Sequence, residues 1–151
     1  MKILLSIWLA VGLAFTLTAR AEDHSLQNLG DNHLAIQGYD PVAYFTDHKP
    51  VKGKPEISAR ADGALYFFAT KEHRDMFKKE PAKYEPQFGG YCAYGVAHNK
   101  LVKIDPAAFQ IVDDKLLLQY SKSIVSDFNE DKDANLAKAN ENWPGLVTKH
   151  K

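Results

Sequence analysis

The sequence predicts an α+β fold, a small antiparallel sheet built from hairpins and packed with one central helix and two C-terminal helices. Three observations predict it. Asp62-Gly63 separates two short apolar runs, which is the strongest short-range hairpin signal in the chain. Asp113-Asp114-Lys115 separates a second such pair. Apolar residues then recur at helical spacing after each hairpin, at Met76 and Phe77 in one case and at Ile124, Val125 and Phe128 in the other.

The chain opens with Lys2, an apolar block over residues 3–17 and Ala19-Arg20-Ala21, the order of a secretory signal peptide. Residues 1–21 are therefore expected to be a leader, and the mature protein is expected to be periplasmic or secreted, without stable membrane insertion once cut. The apolar block is short for a bilayer span, which takes roughly 20 residues. Residues 22–32 are polar and aperiodic, so a loosely held N-terminus is expected there. Residues 33–146 form one domain and 147–151 a polar tail, with no internal repeat expected.

Within the domain, Leu34-Ala35-Ile36 suggests a short strand, and Asp40-Pro41 a cap and first residue of a short helix over residues 42–45. Residues 57–61 and 64–69 are the first hairpin, in which Leu65-Tyr66-Phe67-Phe68 lacks polar alternation and suggests a strand covered on both faces. Thr70 can cap a helix from Lys71 to Lys79, with His73, Met76 and Phe77 inward and Pro81 as its stop. Residues 94–104 suggest a further strand, and Asp105-Pro106 one helical turn through Phe109. Residues 110–112 and 116–118 make the second hairpin. Residues 121–129 and 132–143 are the last helices, the latter ended by Pro144.

Lys plus Arg number 19 and Asp plus Glu 19, and losing Lys2 and Arg20 with a leader leaves the balance slightly acidic. Such a chain has no electrostatic reason to seek nucleic acid or anionic lipid. One cysteine cannot close an internal disulfide. In an exported protein it is a free thiol, a bridge between two copies in a homodimer, or a metal ligand.

That cysteine stands in Gly89-Gly90-Tyr91-Cys92-Ala93-Tyr94-Gly95, where paired glycines permit a tight bend. This segment, Ala35-Ile36-Gln37-Gly38-Tyr39-Asp40-Pro41-Val42-Ala43-Tyr44-Phe45, Gly63-Ala64-Leu65-Tyr66-Phe67-Phe68-Ala69 and Pro81-Ala82-Lys83-Tyr84 together resemble the exported, single-domain branch of the YHS domain family. Related YHS and TRASH-like modules are metal-associated, and the resemblance implies soft-metal handling, copper first. Ala43 and Phe68 or Ala69 stand where those modules carry thiolates, so the implied site has lost both.

Three functions follow as expectations. A non-catalytic soft-metal protein would use Cys92 with His98 or His73, since cuprous copper favours thiolate and tolerates few ligands. A regular strand would put Cys92 and His98 on one face. A small-molecule binding module would line a pocket with aromatics such as Tyr39, Tyr66, Tyr84 and Tyr91. A thiol enzyme, the least expected, would pair Cys92 with His98 or His73 and an Asp such as Asp105. A lone cysteine also serves as a small buried hydrophobe.

Overall fold

The computed structural model describes residues 26–150, and the expected leader lies outside the described residues. The fold is α+β, with strands in two separate two-stranded antiparallel sheets instead of one. Strands β1 (Lys54–Ala61) and β2 (Ala64–Phe68) form the first, β3 (Asp105–Val112) and β4 (Lys115–Gln119) the second. Around them run α1 (Ala43–Thr46), α2 (Lys71–Lys79), α3 (Pro81–Tyr84), α4 (Ala93–Ala97), α5 (Lys122–Glu130) and α6 (Lys132–Lys149).

The order of these elements is one unit written twice, contrary to the expectation of no repeat. Lys54 and Asp105, Ala64 and Lys115, Lys71 and Lys122, and Pro81 and Lys132 begin corresponding elements, and each pair is 51 residues apart. The correspondence extends to individual bonds. Ala35 N–H donates to the Leu65 carbonyl at 2.9 Å, and Gln87 N–H to the Leu116 carbonyl at 2.9 Å. Asp40 N–H reaches the Val51 carbonyl at 2.8 Å, and Cys92 N–H the Val102 carbonyl at 2.9 Å. The first of these loops is one residue longer, so the spacing is 52 before it and 51 after.

Both hairpins slip register at the same place, between Lys54 and Ser58 in one and between Asp105 and Phe109 in the other. Thr70 and Ser121 cap α2 and α5 by accepting from His73 N–H and Ile124 N–H. Each unit also enters through three successive left-handed residues: Ile36, Gln37 and Gly38 at φ 49°, 52° and 80°, and Phe88, Gly89 and Gly90 at 54°, 57° and 78°. A β-branched residue pays for such a φ, and Ile36 is repaid by burial in the core. At Gly89 no side chain fits, because a Cβ there would collide with the Leu26 carbonyl.

Phe77 of the first unit and Phe128 of the second are fully buried at equivalent helix positions. Phe77 packs on Tyr66 and Phe68, at ring-centroid distances of 4.7 and 5.2 Å. Phe128 packs edge-on to Tyr94 at 6.4 Å. The strand buried on both faces is β4: Leu116 and Leu118 enter the first core cluster and Leu117 the second. In β2, expected to fill that place, Leu65 and Phe67 are only half-buried.

Four further expectations are corrected. The segment after Cys92 is helix α4, because Cys92 and Tyr94 carbonyls accept from Val96 and His98 N–H and start a helical turn. Asp105-Pro106 opens strand β3, since the Asp105 side chain accepts from Ala107 N–H and shapes the bulge instead of a helix start. Met76 is among the most exposed large apolar side chains, leaving Phe77 as the buried member of its pair. Pro144 does not end the last helix; α6 runs on to bury Leu146. Its Asn142 Nδ2 donates to the Val96 and Ala97 carbonyls at 3.0 and 3.1 Å and so holds α6 to the end of α4.

Residues 26–32, expected to be loosely held, are tied to the second unit. Asn28 N–H donates to the Gly89 carbonyl at 2.8 Å, and its Nδ2 to the Gly90 carbonyl at 3.1 Å. Among the described residues no helix is long and apolar enough to cross a membrane.

Candidate functional site

The repeat makes each unit a control for the other, beginning with the loop before the first helix. In the first unit that loop is anchored by Asp40, which is fully buried. Its Oδ1 accepts from Val42 N–H at 2.9 Å and Ala43 N–H at 3.3 Å. Its Oδ2 accepts from Ala69 N–H at 2.8 Å and lies 2.7 Å from His73 Nδ1. A carboxylate only accepts, so Nδ1 carries the proton and Nε2 faces the Thr46 hydroxyl at 3.2 Å. This is a hydroxyl–imidazole–carboxylate series, but Thr46 is exposed and also reaches Asp47 at 2.9 Å and the Val42 carbonyl at 3.2 Å. Its chief effect is to lock the α1 loop onto the start of α2.

In the second unit Cys92 takes the place of Asp40. Its Sγ accepts from Tyr120 N–H at 3.3 Å, as Asp40 accepts from Ala69, the residue 51 positions earlier. The thiol donates to Gln119 Oε1 at 3.2 Å, which also accepts from Tyr94 N–H at 3.0 Å. Cys92 is a free thiol, 2% exposed. It is the loop anchor of its own unit.

The expected metal ligands are therefore not gathered. His73 is committed to Asp40 in the other unit, and His98 sits at the far end of α4 with Nδ1 2.9 Å from the Tyr94 carbonyl. Cys92 is at the N-terminal end of α4, so the one-face alignment expected of a strand does not arise. Among the described residues no group of three His, Cys, Asp or Glu side chains could hold a metal ion.

The aromatic candidates fall in different places. Tyr39 stacks under the Lys52 ammonium, 4.7 Å from the ring centroid, and Tyr84 lies edge-on to Phe45 at 5.4 Å in the core. Tyr66 and Tyr91 lie nearer one another. Tyr66 lines a cleft of about 110 Å³ with Gln27, Asp62, Glu85, Pro86, Gly89 and Trp143. Tyr91 packs on Trp143 at 6.5 Å, and its hydroxyl donates to the Gln27 carbonyl at 3.4 Å.

Two carboxyl groups share this cleft. Glu85 Oε1 is buried and has no hydrogen-bond partner. Burial pushes the Glu85 carboxyl above the usual glutamate range, and the neighbouring Asp62 charge adds to the shift. Burial, then the charges of Glu85 and Asp62, also raise the Tyr66 phenol, so it stays neutral. No cationic side chain among the described residues is paired with either carboxyl.

The second unit has the matching cleft, about 130 Å³, lined by Asp113, Leu117, Leu136 and others. These stand 51 residues after Asp62, Tyr66 and Glu85. Compared with family models, curated proteins and solved structures, the chain matches none of them. The internal comparison therefore carries the argument: leucine fills both positions in one unit, while the other keeps a phenol and a buried acid.

Proposed function

We propose that the chain is an exported, non-catalytic binding protein of the YHS type that takes a small organic molecule in the cleft between Tyr66, Glu85 and Trp143. The observation that carries this reading is the buried, unpartnered Glu85 oxygen on the wall of an aromatic cleft. A buried polar group without a partner costs about 1–3 kcal/mol. The fold does not require that cost, because Leu136 occupies the equivalent position. A ligand that bonds to Glu85 removes it.

The cleft is small. A volume near 110 Å³ is about four times a water's share of the liquid, against roughly 300 Å³ or more for sites that enclose drug-sized molecules. It suits a compact ligand, or the head of a longer one. Copper is less well supported than this ligand class, because a metal at Cys92 would have to break the Gln119 and Tyr120 contacts of a nearly sealed sulfur.

The test is a nitrogen–proton NMR titration with phenol, benzyl alcohol and benzylamine, following the Trp143 indole signal. At least one probe is expected to shift Trp143 and the neighbouring Gly89 amide, equally in the protein and in Cys92→Ala. Shifts confined to residues around Cys92, or none with any probe at millimolar concentration, would overturn the proposal.

A further inference from the structure

Resting on that cleft, we infer that the group recognised there is a small organic cation, a protonated amine carried on an apolar or aromatic body. The chemistry of the lining selects the charge. Asp62 and Glu85 both border the space, Glu85 Oε1 lacks a donor, and no lysine, arginine or histidine of the described residues pairs with either carboxyl. An ammonium supplies what is missing: its N–H groups donate to Oε1, and its charge relieves the mutual repulsion of the two acids. Hydrogen bonds between ionised partners are roughly twice as strong as neutral ones.

The rest of the wall selects the body. Trp143 and Pro86 contribute apolar surface, and an indole attracts cations placed over its ring. A bare metal ion fits less well, because the two carboxyls have no third acidic, histidine or cysteine ligand beside them among the described residues. The companion cleft of the second unit keeps the aspartate, Asp113, but lines the rest with Leu117 and Leu136. It has no counterpart of the Glu85 acceptor and is not expected to discriminate for charge.

The experiment compares benzylamine with benzyl alcohol, which have nearly the same shape, by NMR titration at neutral pH and low salt. Benzylamine is expected to bind about tenfold or more tightly, a difference of about 1.4 kcal/mol. Glu85→Gln, which keeps size and hydrogen-bonding capacity, is expected to bring the two affinities within about twofold while benzyl alcohol binding persists. Glu85→Leu serves as a second variant, folded by the precedent of Leu136, and is expected to lose benzylamine discrimination in the same way.

If benzyl alcohol binds the protein as tightly as benzylamine, the cation inference is overturned and the cleft proposal stands. If neither probe shifts Trp143, both fall. If Glu85→Gln keeps the full preference for benzylamine, the recognising group is not Glu85, and the inference is overturned.

Discussion

The two units of this chain solve one folding problem with different residues, and the differences separate what the fold needs from what it does not. Both keep the left-handed entry, the bulged hairpin, the hydroxyl cap and a fully buried phenylalanine in the following helix. They part at the loop anchor, Asp40 against Cys92, and at the cleft, Tyr66 and Glu85 against Leu117 and Leu136. The shared features maintain the architecture. A costly residue present in only one unit needs another explanation, and at Glu85 we place it in ligand binding.

The largest expected effects fall on the shared core. Phe77→Ala and Phe128→Ala should each lower unfolding free energy by about 3–5 kcal/mol, the usual cost of emptying a buried phenylalanine site. Denaturant titration checks this, and near-equal losses would support true equivalence of the units. A difference beyond about 2 kcal/mol would show that the cores are not comparable.

The anchors should differ. Asp40→Ala strips a buried acceptor from three backbone N–H groups and from His73, and should cost about 3–5 kcal/mol. Cys92→Ala removes a smaller side chain with one N–H acceptor role and one thiol bond, and should cost about 1–2 kcal/mol. Equal costs in thermal or denaturant unfolding would mean that the sulfur does more for the fold than its contacts indicate.

The sequence displayed much of this architecture and little of its repetition. The hairpins, the helix after each and the cap at Thr70 were legible because turn chemistry and apolar period are local signals. The repeat was hidden because the units share few side chains: Pro55 and Pro106, Asp62 and Asp113, Leu65 and Leu116, Lys71 and Lys122, Phe77 and Phe128 are identical at the 51-residue spacing, while most other positions differ. Cys92 stood out as the sole cysteine, yet its role depends on Tyr120 and Gln119, 28 and 27 residues away. Of the expected residues only Tyr66 lines the cleft. Glu85 and Trp143 carried no local pattern, since their meeting requires α6 to pack back across the first unit.

A smaller effect should appear in the pH dependence of stability. The Glu85 pKa is raised in the folded chain, so the folded state keeps a proton that the unfolded chain releases. Its contribution is fully present below the ordinary glutamate value of 4.5 and is lost as pH rises through the raised folded value. The groups facing it are Asp62 and the neutral Tyr66. Glu85→Gln should flatten this part of the stability profile, and an unchanged profile would show that Glu85 is well solvated.

The most direct test of the comparison is the unfolding free energy of Glu85→Leu at neutral pH. If the acid is retained for a ligand and not for the fold, importing the leucine of the companion unit should leave the protein as stable as before or stabilise it by about 1 kcal/mol. A loss of about 2 kcal/mol or more would make Glu85 a structural residue and contradict the account.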